Sequence, residues 1–101
     1  MHNEEFISWF EQVLNSMLQL VKAKNADYGG LQTDAFANFR NVEKLWICSV
    51  EQGLLTRITD KISRINTLSS ADQKVQDEKI TDTLLDLANY AIILKLYIES
   101  K

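Results

Sequence analysis

The chain has 101 residues with no proline, three glycines and one cysteine, is 46% hydrophobic and 25% charged, and carries a net charge of −3. An all-β fold of this length needs a turn every ~8–12 residues, and turns draw heavily on Pro and Gly, so that class is excluded together with collagenous and proline-rich disordered chains. The acidic balance gives no electrostatic footprint for nucleic acid, lone Cys48 allows no internal disulfide or multi-cysteine zinc site, and no run approaches the ~18 apolar residues of a membrane span. What remains is a cytoplasmic, all-α single domain spanning residues 1–101.

The first helix is expected over about 4–25. Asn3 is a good N-cap and Glu4 and Glu5 suit the first turn. Phe6, Phe10, Val13, Met17, Leu20 and Val21 follow at helical spacing. The run Lys24-Asn25-Ala26-Asp27-Tyr28-Gly29-Gly30 should end it, because glycine supplies the positive φ of a helix stop. Asp34 can cap a second helix over 35–48 with a bulky stripe of Phe36, Phe39, Val42, Leu45 and Trp46. Trp9 and Trp46 read as core or interface residues rather than base-stacking platforms. Ser49-Val50-Glu51-Gln52 fits a capping box, so a third helix begins at 50 and runs to 68. Its core face is Val50, Leu54, Ile58, Ile62 and Ile65. Gly53 near its start costs roughly 1 kcal/mol against Ala, which calls for a close-packing reason. A polar joint precedes a last helix over 74–100, with Ile80, Leu84, Leu87, Ala88, Ala91, Leu94 and Ile98 inward. At ~1.5 Å per residue that helix is too long for a lone bundle of this size to cover evenly.

Two polar ladders carry the candidate chemistry. Arg57, Asp60, Lys61 and Arg64 fall at i, i+3, i+4 and i+7 on the third helix. Glu78, Asp82 and Asp86 step by four on the last, with Asn89 alongside and Tyr90 at its edge. Like charges at i,i+4 cost ~0.2–0.5 kcal/mol a pair, so something outside the helix should neutralise the acids. A structural ion-pair seam with Arg57, Lys61 and Arg64 would do so. A hard divalent cation would too, since Mg²⁺ takes one or two carboxylates plus substrate phosphates, and the cations would then meet phosphate. Spacing alone does not decide between them.

Taken in order, Lys24-Asn25-x-Asp27-Tyr28-Gly29, Phe36-x-Asn38-Phe39, Arg57-x-x-Asp60-Lys61-x-x-Arg64 and Glu78-x-x-x-Asp82-Thr83-x-x-Asp86-Leu87-Ala88-Asn89-Tyr90-Ala91 resemble nucleotide modification associated domain 1. That is a small all-helical domain of phages and bacteria. The last helix is more distantly similar to the metal helix of MazG-like all-α nucleotide pyrophosphatases. The resemblance implies a four-helix, MazG-like bundle, a homodimer or homotetramer, in the bacterial host cytoplasm. It implies a nucleotide-binding domain and a Mg²⁺-dependent (deoxy)nucleoside triphosphate pyrophosphohydrolase linked to nucleotide or DNA modification. Glu78, Asp82, Asp86 and Asp60 would then hold metal, with Asp60, Glu78 and Asp82 catalytic. Lys61 and Arg64 would meet phosphates, Arg57 and Tyr90 would join the substrate-binding set, and Asp27, Tyr28, Asn38 and Asn89 would shape the sugar or base pocket. MazG-like enzymes carry Glu-x-x-Glu where this chain has Asp60-Lys61-Ile62-Ser63-Arg64, so one Mg²⁺ or none is expected. The competing expectation is a non-catalytic interaction domain whose acidic and basic ladders form a salt-bridge seam.

Overall fold

The computed structural model describes residues 1–29, 34–70 and 73–101, the side chains of 25–29 and 73–76 excepted. It is all-α, with four helices: α1 (Asn3–Gly29), α2 (Asn41–Lys44), α3 (Val50–Leu68) and α4 (Gln73–Glu99). The chain divides into two compact units, Met1–Ala35 and Phe36–Lys101.

The first unit is built on α1. Its first turn closes with the Phe6 amide donating to the His2 carbonyl at 3.0 Å, so Asn3 lies just inside the helix rather than capping it. Helix continues through Asn25, Asp27 and Tyr28 to Gly29, four residues past the expected stop. Asn and Gly permit a helix end but do not enforce one, and no proline intervenes. Taken at about 100° per residue, the apolar positions from Phe6 to Val21 cover about half the helix circumference. Phe6, Trp9 and Phe10 are each more than half exposed, and the rings of Phe6 and Phe10 sit 6.0 Å apart.

The second unit is an α3/α4 hairpin with the segment 36–48 laid over one end. α3 starts where its capping box dictates. The Ser49 hydroxyl accepts from the Gln52 amide at 3.1 Å, and the Gln52 side chain accepts from the Ser49 amide at 3.1 Å. Gly53 has the close neighbour its helix position demands, since a Cβ there would lie 3.1 Å from Val42 Cγ2. Val50, Leu54 and Tyr97 form the buried cluster, with Phe36, Phe39, Tyr90, Ile93 and Leu94 packed against it.

The packed face of α4 is rotated from the expected one, and that of α3 keeps every expected residue but Ile62. On α4 the half-buried or buried positions include Ile80, Thr83, Leu87, Tyr90, Leu94 and Tyr97, whereas Leu84, Ala88, Ala91 and Ile98 are exposed. These alternate by three and four, the seam of two packed helices. Thr83 can occupy the seam because its hydroxyl donates to the Lys79 carbonyl within its own helix at 2.7 Å. On α3 the seam runs through Val50, Leu54, Ile58, Lys61, Ile65 and Leu68, while Ile62 is exposed. Lys61 takes the seam position by burying its aliphatic stem and sending its ammonium to the edge.

The expected helix over 35–48 shrinks to α2. Residues 35–40 form successive turns, with the Phe39 and Arg40 amides both donating to the Phe36 carbonyl. α2 ends at a Schellman motif: the Ile47 amide donates to the Val42 carbonyl at 2.9 Å and the Trp46 amide to the Glu43 carbonyl at 3.1 Å. The residue after the C-cap must be left-handed, and here it is Trp46, at φ 58°. Glycine holds that conformation freely, whereas an L side chain pays roughly 1–2 kcal/mol. Leu45 and Trp46, expected on a core stripe, are 68% and 95% exposed.

Candidate functional site

The two ladders meet along one edge of the α3/α4 hairpin. Measured from Leu54 at about 100° per residue, Lys61, Arg57, Arg64 and Asp60 lie about 20°, 60°, 80° and 120° to one side. From Thr83, Asp86, Asp82 and Glu78 lie about 60°, 100° and 140° round α4. The members nearest the seam therefore make the cross-helix contacts. Lys61 Nζ stands 3.5 Å from Asp86 Oδ2, and Arg57 Nη1 donates to Tyr90 Oη at 3.4 Å. These two pairs set an antiparallel register, with Arg57 opposite Tyr90 and Lys61 opposite Asp86.

Arg57 is held by more than that long hydrogen bond. Its guanidinium carbon lies 5.4 Å from the Phe39 ring centroid and 5.6 Å from that of Tyr90. Aromatic faces attract a guanidinium through the ring quadrupole, and such a seat leaves the rest of its donor fork open to an anion. The residue is exposed, so its charge is accessible.

The other expected site residues are placed as follows. Asp60, Arg64, Glu78, Asp82 and Asp86 are exposed, Asn38 is exposed in the turns before α2, and Asn89 is half-buried on α4. Asp27 and Tyr28 lie in the last turns of α1, and their side chains fall outside the described residues. Among the described residues, no three His, Cys, Asp or Glu side chains converge as a metal-holding group. Glu78 and Asp82 remain one helical turn apart on the same ladder, and Asp86 is shared with Lys61.

A second cation–aromatic stack had not been anticipated. Arg40 lies 5.9 Å from the Phe36 centroid and 5.4 Å from that of Tyr97. The two rings meet edge-on at 5.4 Å. Phe36 and Arg40 at i,i+4, with Tyr90 and Tyr97 seven apart, were the available signals. At the same end Lys101 bonds Glu51, and that hydrogen bond holds the Glu51 carboxyl below its ordinary range and lifts the Lys101 ammonium above its own. Any stability from the Glu51 shift is present above the unfolded carboxylate pKa and fades as pH falls through the folded one.

The family profile of nucleotide modification associated domain 1 matches residues 24–97. The chain belongs to this family. The matched span of nucleotide modification associated domain 1 takes in every candidate site residue from Asp27 to Tyr90. No curated protein and no solved structure matches the chain significantly. Among the described residues, no helix of this member is long and apolar enough to cross a membrane.

Proposed function

We propose that the chain binds a nucleotide through its phosphates along the Arg57–Lys61–Arg64 edge of α3, in a pathway of nucleotide or DNA modification in phage or bacteria. The supporting observation is the seat of Arg57 between Phe39 and Tyr90, which holds a guanidinium fork in place without consuming it. Family membership gives the substrate class its direction. The finer reading is a Mg²⁺-dependent (deoxy)nucleoside triphosphate pyrophosphohydrolase. The donors suit one Mg²⁺ rather than two, because Glu78 and Asp82 provide two carboxylates and, among the described residues, no third acid converges on them. Mg²⁺ is commonly held by one or two carboxylates with the substrate's phosphates and water completing the shell. When bound it would offset phosphate charge. Arg57 and Arg64 would orient the phosphate chain, and Asn38 and Asn89 would meet sugar or base.

The test is calorimetric titration of deoxynucleoside triphosphates with and without Mg²⁺, alongside an assay for released pyrophosphate. Wild type is expected to bind more tightly with Mg²⁺, and Asp82→Ala to lose that increment. Removing one of the stepped acids also relieves about 0.2–0.5 kcal/mol of repulsion, so the variant should be no less stable. Absence of binding by wild type, with or without Mg²⁺, overturns the reading.

The Lys61–Asp86 pair favours a second reading, a structural seam within an interaction domain. The pair is partly exposed, with side-chain accessibilities of 28% and 54%, and pairs of that kind contribute about 0–1 kcal/mol. Asp86→Asn should therefore lower the unfolding free energy by less than about 1 kcal/mol. A denaturant titration showing a loss several times larger would mark the seam as the main role of this ladder.

A further inference from the structure

Phe36 opens the Phe36-x-Asn38-Phe39 stretch yet has no part in the phosphate edge proposed above. It is tied to that edge through one turn. The Phe39 and Arg40 amides donate to the Phe36 carbonyl at 3.0 and 3.1 Å, so three side chains leave a single closed turn of backbone. Two of them meet at one end. The Phe36 ring lies edge-on to Tyr97 at 5.4 Å, within the separation that aromatic pairs favour, and the Arg40 guanidinium carbon lies 5.9 Å from the Phe36 centroid and 5.4 Å from that of Tyr97. The third, Phe39, meets the Arg57 guanidinium carbon at 5.4 Å.

The two ends of this turn are unequal. Tyr97 is 5% exposed and belongs to the buried cluster with Val50 and Leu54, so the core fixes the Phe36 end. Arg57 is exposed at the other end, and its bond to Tyr90 Oη spans 3.4 Å, too long to hold a side chain by itself. Tyr90 stands on α4 about 10.5 Å along the helix from Tyr97, so the hairpin sets its half of the Arg57 seat. Phe39 comes from the turns before α2, and the aim of its ring at Arg57 depends on the turn that Phe36 holds. We propose that Phe36 is a positioning residue for nucleotide binding: seated on Tyr97, it fixes through its turn the Phe39 ring that keeps the Arg57 fork in place for phosphate. The inference rests on the binding reading above, and Phe36 itself touches no ligand. A fork held in its binding geometry beforehand loses less freedom when the anion arrives, and residues that lock a contact residue are part of the site's design.

The experiment compares wild type, Phe36→Leu and Phe36→Tyr, by nuclear Overhauser contacts in the free protein and by calorimetric titration of dATP, dCTP, dGTP and dTTP with Mg²⁺. Phe36→Leu removes the ring that meets Tyr97. It is expected to lose the contact between the Arg57 side chain and the Phe39 ring while keeping the one between Arg57 and Tyr90. Its triphosphate affinity should fall about 2–5-fold, one lost cation–aromatic contact expressed as affinity. In an Arg57→Ala background the same substitution should leave affinity unchanged, because residues that act through one another do not add. Phe36→Tyr keeps the ring at a half-buried position and should retain both contacts and wild-type affinity. Phe36→Met fills more of the vacated space and covers a Phe36→Leu chain that fails to fold, with the same expected results. Wild type that binds no triphosphate overturns the binding reading and this inference together. Wild type that binds, beside a Phe36→Leu chain that keeps the Arg57–Phe39 contact or the full affinity, overturns this inference alone. So does an equal loss of affinity in the Arg57→Ala background, or a loss of both Arg57 contacts to the same extent, either of which marks Phe36 as a packing residue of the hairpin.

Discussion

Leu54→Ala is expected to lower the unfolding free energy by about 3 kcal/mol, within the 2–5 kcal/mol range for emptying a buried leucine site. Leu54 is 1% exposed and forms the buried cluster with Val50 and Tyr97. Truncation removes apolar contacts and leaves a void that neighbours fixed by helical backbone fill only in part. For a domain of this size such a loss lowers the melting temperature by roughly 12–24 °C. Small domains have only about 5–15 kcal/mol in all, so one side chain removes a large share. The control is Ile62→Ala on the same helix. Read from spacing, Ile62 and Leu54 share a core face, but Ile62 is 54% exposed. Its truncation should cost about 1 kcal/mol or less. Thermal and denaturant unfolding of the two variants side by side decide the face. Equal losses would restore the face inferred from spacing.

The outward Ile62 and the rotated face of α4 show which parts of the structure were legible. α3 was readable to the residue because its start is a local chemical event: a Ser and a Gln three apart satisfy each other's backbone amides whatever the rest of the chain does. Gly53 was readable for a similar reason, since a glycine inside a helix asks for a neighbour, and Val42 supplies one. The packed faces were not, because counting aliphatics treats Tyr, Thr and Lys as outward-facing. Thr83 satisfies its hydroxyl on its own helix, Tyr97 keeps its ring buried beside Arg40, and Lys61 lays its stem in the seam. Each behaves as an apolar residue with a polar tip. The length of α2 was hidden for another reason. A left-handed cap at tryptophan has no sequence signature, because local propensity argues against it. The ladders were visible as ladders, but their partners depend on the register of the hairpin. That register pairs Arg57 with Tyr90 and Lys61 with Asp86, and among the described residues gathers no third acid beside Glu78 and Asp82.

Arg57→Ala is expected to weaken nucleoside triphosphate binding by about 10–100-fold while leaving the fold nearly intact. Hydrogen bonds to charged groups contribute about 1.5–3 kcal/mol, which converts to roughly that range of affinity. The structural cost is smaller. Two exposed cation–aromatic contacts contribute about 0.5–1 kcal/mol each, and the 3.4 Å bond to Tyr90 Oη lies beyond the usual limit for a strong hydrogen bond. The melting temperature should therefore fall by roughly 4–16 °C, less than for Leu54→Ala. Arg57→Lys separates charge from geometry. It keeps a cation but loses the planar fork that lies over Phe39 and Tyr90, so affinity should recover only in part. Tyr90→Phe keeps the ring and removes only the phenol, and binding should stay within about three-fold of wild type, since a long hydrogen bond contributes little. Binding by wild type should also weaken as salt rises, because the edge is exposed and screened. If Arg57→Ala bound triphosphate as wild type does, the phosphates would not lie on this edge, and Arg57 would be a packing residue of the hairpin alone.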